Sequence, residues 1–229
     1  MKSKTSTARS VGVLMLLHLA VGLIVPFVLL DPLVKAHGFL SAAAALSTQV
    51  RVAVMLLFAG SAMAIAVSCA ALRVIRQYSS AAAYWLLALA VAGFALQAAD
   101  NAHLLSMLAV SQAYANAEPA SAPLFQTVAV AVGALRKFSH YSYLLVAGSW
   151  ILSFCAVLYR FRLVPRGLAA LGVLGAVGQI AGVTLRGLWG YPPETLLAAP
   201  LAPVYVALAV WIIAKGFDER QPSDGPTAV

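Results

Sequence analysis

The chain has 229 residues, of which 62% are hydrophobic and 10% are charged, with a formal net charge of +8. Soluble domains carry about 25% charged residues, so this composition excludes a soluble globular protein and indicates a polytopic membrane protein. The positive charge does not indicate nucleic-acid binding, because the basic residues fall at the ends of apolar segments instead of forming one basic face.

Six apolar segments have the length of about 20 residues that is needed to cross a bilayer. They lie at residues 11–30, 52–73, 82–104, 138–159, 167–187 and 198–214. Each must be helical, because backbone groups that face lipid find hydrogen-bond partners only within a helix or a closed barrel. The sequence therefore predicts an all-α fold, a polytopic membrane helical bundle with six transmembrane helices, in which residues 1–216 form a single domain.

The basic residues are distributed unevenly between the two sides of this bundle. One side has ten of them: Lys2, Lys4, Arg9, Arg73, Arg76, Arg160, Arg162, Arg166, Lys215 and Arg220. The other side has five: Lys35, Arg51, Arg136, Lys137 and Arg186. Because cytoplasmic loops collect Lys and Arg, we expect the N-terminus and the C-terminus to be cytoplasmic. Residues 217–229 are polar and are expected to form a short disordered cytoplasmic tail.

The connections on the opposite, outer side are longer than those on the cytoplasmic side. Residues 31–50 contain an alanine-rich piece that is expected to form an interfacial helix, and residues 115–135 start irregular and become amphipathic. In the fifth segment, Gly172, Gly175 and Gly178 predict a close approach of neighbouring helices.

Cysteine and metal-binding motifs are few in this sequence. Cys69 and Cys155 are isolated from each other and are expected to be small buried apolar groups. The sequence contains no CxxC, HExxH, P-loop or GxSxG motif. We therefore assign no metal site and no cofactor from the sequence.

Polar and ionisable residues lie near the outer ends of several segments. Because a charge in hydrocarbon is costly, ionisable residues within membrane segments mark functional sites. Asp100 ends the third segment, while Arg136 and His140 begin the fourth. At 100° per residue, the polar residues of each segment share one helix face. We therefore predict a polar pocket at the outer leaflet. Its predicted ligand-binding residues are Asp100, Asn101, His103, Arg136, His140, Tyr143 and Arg186.

The leading functional hypothesis is the binding or sensing of a small amphipathic or lipid-like ligand in this pocket. One alternative is a small membrane enzyme in which Asp100 acts as an acid on an apolar substrate. Another is haem held by His103 and His140. A third is a non-catalytic subunit that binds a membrane protein partner.

Purely structural explanations also exist for the same residues. Asp100 could pair with Arg136, Arg186 or Arg51 simply to neutralise a buried charge. His18 lies in the middle of the first segment, away from the other histidines, and is expected to form a hydrogen bond with a neighbouring helix instead of binding a ligand.

Three stretches carry a family resemblance: "TARSVGVLMLLHLAVGLI", "RLVPRGLAALGVLGAVG" and "AVWIIAKGF". With them the chain resembles a family of uncharacterised six-helix bacterial integral membrane proteins, a domain of unknown function. The resemblance covers nearly the whole chain. It implies a six-helix fold and a multi-pass location in the bacterial inner (plasma) membrane, and it assigns no site residue.

Overall fold

A computed structural model describes residues 2–31, 33, 38–191 and 195–218. Its α-helices are α1 (Lys2–Ile24), α2 (Phe39–Ala42), α3 (Ser47–Arg76), α4 (Ser80–Ala115), α5 (Ala122–Arg160), α6 (Arg166–Trp189), α7 (Thr195–Ala198) and α8 (Leu201–Lys215). A π-helical turn, Val25–Leu30, continues α1, and a 3-10 turn, Pro119–Ser121, precedes α5. The described part of the chain contains no strand, and the predicted all-α fold is confirmed.

The six longer helices pack side by side in chain order and form a closed ring. α3 packs against α1, α4 against α3, α5 against α4 and α6 against α5. The last helix, α8, packs against both α6 and α1 and so closes the ring. The turns at residues 77–79 and 161–165 are too short for anything except a reversal of direction, so neighbouring helices are antiparallel.

Five helical segments are long and apolar enough to cross a membrane. They are Thr7–Leu30, Ser47–Arg76, Ser80–Ala115, Pro119–Arg160 and Arg166–Gly187. The protein is therefore a multi-pass membrane protein. The sixth, α8, is apolar but has 15 residues, or about 22 Å at 1.5 Å per residue, so the sixth crossing stays a prediction. Residues 219–229 of the expected tail lie outside the described residues.

The two ends of the ring differ in charge and shape. At one end, named here the basic end, α3 and α5 finish with Arg76 and Arg160 and α6 begins with Arg166. At the other, the hairpin end, α4 ends at Ala115 and α5 begins at Ala122. With 36 and 39 residues, α4 and α5 are about 54 and 58 Å long. Because a hydrocarbon core is about 30 Å thick, these two helices extend well beyond it.

The connection before α3 is fixed to α4 at the hairpin end. The short helix α2 lies where the alanine-rich interfacial helix was expected, and its Phe39 is buried. The Ser111 hydroxyl donates to the Leu40 carbonyl at 2.7 Å and accepts from the Ala44 amide at 2.9 Å. The buried serine thus satisfies two backbone groups that the short helix leaves open.

The glycines of α6 allow close helix contact, as predicted. A Cβ on Gly172 would lie 2.6 Å from the Cys155 Sγ, and one on Gly178 would lie 2.6 Å from the Leu197 carbonyl oxygen. Cys155 is buried at this contact, but Cys69 is exposed. The expectation that Cys69 is buried is therefore wrong, because its position on α3 faces away from the ring, where a small apolar side chain can meet lipid.

Candidate functional site

Three polar side chains of α4 lie together on the face that points into the ring. Asp100 and Gln97 are 0% exposed, and Asn101 is buried as well. The Gln97 amide donates to the Asp100 Oδ2 at 3.2 Å and to the Asn101 Oδ1 at 3.0 Å. Residues three and four apart are neighbours on a helix surface, so the local sequence is sufficient to create this group.

Two basic side chains that contact Asp100 come from α5, which runs antiparallel to α4. The Arg136 Nε lies 3.6 Å from the Asp100 Oδ1, and the His140 Nδ1 lies 3.3 Å from the Asp100 Oδ2. The spacing of four residues places both side chains on one face of α5. We name Gln97, Asp100, Asn101, Arg136 and His140 the Asp100 cluster.

The depth of this cluster follows from helix geometry. Asp100 is about 20 residues after the start of α4, and His140 is about 20 residues before the end of α5. At 1.5 Å per residue, both lie about 30 Å from the basic end, which is the thickness of a hydrocarbon core. The cluster therefore lies nearer the hairpin end than the basic end of the ring.

Burial is asymmetric within the Asp100 cluster. The side chain of Asp100 is 0% exposed, whereas those of Arg136 and His140 are 21% and 35% exposed. A buried carboxylate is tolerated when it is paired with a cation and hydrogen-bonded. The structural explanation, in which Arg136 pairs with Asp100, is thus observed as a contact. The Arg136 and His140 side chains are the part of the cluster that the surroundings can reach.

The hydrogen bonding of the cluster is incomplete. Among the described residues, the Gln97 Oε1, the Asp100 Oδ1 and the Arg136 Nε have no hydrogen-bond partner. At 3.6 Å, the contact between Arg136 and Asp100 is an ion pair but is too long for a good hydrogen bond. Since buried polar atoms nearly always have a partner, these three atoms leave the interior of the cluster short of hydrogen bonds.

Further hydrogen bonds connect the cluster to its neighbours. The Asn101 amide donates to the Val54 carbonyl of α3 at 3.4 Å. His103 lies beside the cluster, with its Nδ1 3.0 Å from the Ser139 hydroxyl. That hydroxyl is also 3.0 Å from the Arg136 carbonyl, to which it donates. Three helices are thus joined at the hairpin end.

Two predicted site residues lie at the edges of this arrangement. The Tyr143 ring centroid is 6.4 Å from that of His140, one turn nearer the basic end. Arg186 is exposed in the last turn of α6, and Gly187 beside it packs on the Tyr141 ring, where an added Cβ would be 3.1 Å away. The role of Arg186 in the pocket stays a prediction.

Two residues belong to the arrangement but were not among the predicted site residues. Gln97 bridges Asp100 and Asn101, and Ser139 bridges His103 and the Arg136 carbonyl. Both were visible as polar residues on the predicted faces, three residues from Asp100 and from Arg136. Their polar side chains on those faces are the signal that could have selected them.

Two observations concern the metal and haem hypotheses. Among the described residues, no group of three His, Cys, Asp or Glu side chains could hold a metal ion. The Nδ1 atoms of His103 and His140 are engaged by Ser139 and Asp100. Haem ligation by these two histidines therefore stays a hypothesis that would have to use their Nε2 atoms.

The family comparison matches a segment of the chain that includes residues of all six helices of the ring. A family model described as a domain of unknown function (DUF4386) matches residues 10–216. The chain belongs to this family. The DUF4386 match runs from α1 through α8 and confirms the resemblance that the sequence carries. No curated protein and no solved structure matches the chain.

Proposed function

We propose that this protein binds a small amphipathic or lipid-like molecule, with the polar head at the Asp100 cluster and the apolar part along the adjoining helices. One observation carries the proposal: Arg136 and His140 contact a fully buried carboxylate and still keep 21% and 35% of their side chains exposed. The cluster therefore offers a guanidinium and an imidazole to a ligand, while its buried carboxylate is inaccessible.

The chemistry of these donors favours an acidic head group. A guanidinium has five donors in a planar fork that matches carboxylate and phosphate oxygens. Arg136 uses its Nε side toward Asp100, which leaves the terminal nitrogens for a ligand. We therefore expect a carboxylate, phosphate or zwitterionic head.

Exposed apolar side chains lie on α4 and α5 at about the level of the cluster. Leu135 and Phe138 flank Arg136 on α5 and are 57% and 58% exposed. Leu105, on α4, is also largely exposed. A ligand with its head at Arg136 could lay an alkyl chain on these side chains, and each buried CH₂ would contribute about 0.8 kcal/mol.

The same contacts make the enzymatic alternative weaker. A general acid must carry a proton when its substrate arrives. A guanidinium at 3.6 Å favours the charged form of a carboxylate. Asp100 is therefore better suited to positioning Arg136 and His140 than to donating a proton.

The location that accompanies this proposal is the inner membrane of a bacterium, with the basic end in the cytoplasm. In a chain whose Cys69 is replaced by alanine, a cysteine at Glu118 and a cysteine at Gln77 report on the two ends, since both residues are exposed in turns. A membrane-impermeant maleimide should label Glu118→Cys on intact spheroplasts and Gln77→Cys only after lysis. The reverse pattern would invert the orientation.

Native mass spectrometry of the detergent-purified protein tests ligand binding. We expect the wild type to retain a discrete small molecule and Arg136→Gln to lose it. Lys137→Gln is the matched control, because this neighbouring cation lies over the Tyr141 ring at 5.9 Å and not at Asp100. It should retain the same molecule.

Arg136→Gln could also disturb folding, since it leaves Asp100 without its arginine. Arg136→Lys separates the two effects, because a lysine keeps the positive charge but has no planar fork. We expect this variant to fold and to bind the molecule at least tenfold more weakly. Equal retention by wild type, Arg136→Gln and Arg136→Lys would overturn the proposed binding site.

A further inference from the structure

Three arginines lie close together in the sequence at the basic end, where α5 ends and α6 begins. Arg160 is the last residue of α5, Arg162 lies in the turn, and Arg166 is the first residue of α6. All three residues are exposed. None of them has a carboxylate within ion-pair distance in the described part of the chain. We name Arg160, Arg162 and Arg166 the arginine turn.

Aromatic rings hold two of these guanidinium groups in place. The Arg160 Cζ lies 5.8 Å from the centroid of the Phe161 ring, and the Arg166 Cζ lies 5.4 Å from that of the Tyr159 ring. A guanidinium within about 6 Å of a ring centroid is attracted to the face of the ring. Arg166 therefore reaches from α6 back to the last turn of α5, and two positive charges are kept at one turn.

The backbone at Arg162 has a conformation that usually belongs to glycine. Its φ is 55°, and no other non-glycine residue that the structure describes has a positive φ. The Arg162 amide donates to the Tyr159 carbonyl at 3.3 Å, and the Leu163 amide donates to the Leu158 carbonyl at 3.0 Å. This pair of bonds is a Schellman motif, in which the residue at the position of Arg162 is usually glycine because a Cβ is strained there. The fold alone therefore does not account for an arginine at this position, and such strain often accompanies function.

The turn is fixed to its neighbours. The Phe161 ring stacks on the Tyr78 ring at 5.3 Å, so the turn at residues 161–165 lies beside the turn at residues 77–79. Leu163 is fully buried, and its carbonyl accepts from the Asp218 amide at 2.8 Å. Because both neighbours of Arg162 are held, the strained backbone cannot relax by a movement of the turn.

We propose that the arginine turn binds the phosphate of an anionic phospholipid in the leaflet at the basic end. Guanidinium groups match phosphate oxygens in geometry and charge, and an anion would remove the repulsion between the like charges. Basic groups between membrane helices bind anionic head groups in this way. The inference uses no contact of the Asp100 cluster and does not depend on ligand binding there.

The surface beside the arginine turn favours a lipid over a soluble phosphate. Tyr159 is 43% exposed, and on α6 Leu171 and Leu174 are 53% and 67% exposed. Leu174 lies eight residues after Arg166, or about 12 Å along the helix. Acyl chains can therefore cover apolar side chains of the same helix while the phosphate lies at the turn.

Native mass spectrometry of the lipid-depleted full chain in detergent tests this assignment. The probe is an equimolar mixture of a phosphatidylglycerol and a phosphatidylcholine with the same acyl chains. We expect the wild type to retain the phosphatidylglycerol in preference. Arg160→Gln and Arg166→Gln should retain about tenfold less of it, as the loss of one hydrogen bond between charged groups predicts. Equal retention of the two lipids by the wild type would contradict the proposal.

Arg162→Gly separates lipid binding from folding. Glycine adopts a positive φ without strain, so this variant should unfold at the same temperature as the wild type or at a higher one, and still lose phosphatidylglycerol. Arg73→Gln is the matched control, because it removes one positive charge from an exposed position in the last turn of α3. It should retain the lipid. If Arg162→Gly loses no more lipid than Arg73→Gln does, the arginine turn is not the binding site.

Excess inorganic phosphate distinguishes a lipid from a soluble ligand. It should not displace the bound phosphatidylglycerol, because it makes no contact with the apolar side chains. Displacement would show a site for free phosphate and would overturn the assignment to a phospholipid. A lipid that is lost in Arg162→Gly is also distinct from the molecule proposed at the Asp100 cluster, which lies about 30 Å from the basic end.

Discussion

Asp100 is a fully buried carboxylate, and without a partner such a group would cost several kcal/mol. Contacts from two helices offset this cost. Gln97 donates to it from the same helix, and Arg136 and His140 contact it from the next helix. Because the Arg136 and His140 side chains are partly exposed, the cluster as a whole is not sealed from its surroundings.

Replacement of Asp100 by asparagine should destabilise the protein by about 2 to 3 kcal/mol. Breaking a fully buried ion pair costs about 3 to 5 kcal/mol, and the partial exposure of Arg136 reduces this value. Unfolding by SDS in mixed micelles, followed by tryptophan fluorescence, measures the change. Glu118→Gln removes an exposed carboxylate and should change stability by less than about 0.5 kcal/mol. Equal stability of the two variants would show that the ion pair contributes nothing.

Two tryptophans, one buried on α5 and one exposed on α4, each donate to a serine hydroxyl and give a matched pair of substitutions. Trp150→Phe removes a buried hydrogen bond to Ser68 and should cost about 1 to 3 kcal/mol. Trp85 also donates to a serine, Ser153, but it is 58% exposed, so Trp85→Phe should be nearly neutral. Thermal unfolding in detergent measures both. A similar loss from both variants would contradict the special role of the central hydrogen bond.

At the level of helices, hydropathy predicted where the membrane-spanning segments lie but not the residues at which the helices begin and end. The predicted segments 82–104 and 138–159 lie inside α4 and α5, which continue to Ala115 and back to Ala122. A window of about 20 residues reports the hydrocarbon thickness, so it cannot detect where a helix continues in the head-group region. Extensions of this kind depend on hairpin contacts, such as that between the Tyr114 and Phe125 rings.

The start of α4 depends on a local capping contact. The Ser79 hydroxyl accepts from the Ala82 amide at 3.2 Å, and removal of such an N-cap costs about 1 kcal/mol. Ser79→Ala should therefore lower stability by that amount. Ser80→Ala, at the exposed first residue of the helix, should not. Thermal unfolding separates them, and indistinguishable midpoints would show that the cap is unimportant in the membrane protein.

For the whole molecule, the order of helices around the ring could not be obtained from the sequence. Equal depth and helical phase were sufficient to predict that Asp100 would lie near Arg136 and His140, because α4 and α5 are consecutive and antiparallel. They were not sufficient to select Arg136 over Arg51 or Arg186. That choice depends on which helices are neighbours and how each is rotated, and both follow from packing over the full ring.

Closure of the ring depends on a close contact between α1 and α8 at Gly12. A Cβ on Gly12 would lie 2.5 Å from the Ile213 Cγ1 and 2.6 Å from the Ala209 carbonyl oxygen, and a backbone atom cannot move aside without shifting the helix. Gly12→Ala should therefore separate α8 from α1 and cost about 1 to 3 kcal/mol, as other overpacked contacts do.

Gly22→Ala is the matched control for ring closure, because it lies on the same helix with nothing within 4 Å of an added Cβ. It should be neutral or stabilising by up to about 1 kcal/mol, since alanine favours helix more than glycine does. Thermal unfolding in detergent measures both variants, and limited proteolysis should cut the α8 region faster in Gly12→Ala alone. If the two variants unfold at the same temperature and are cleaved at the same rate, α8 does not close the ring through this contact, and the packing of the sixth helix must be revised.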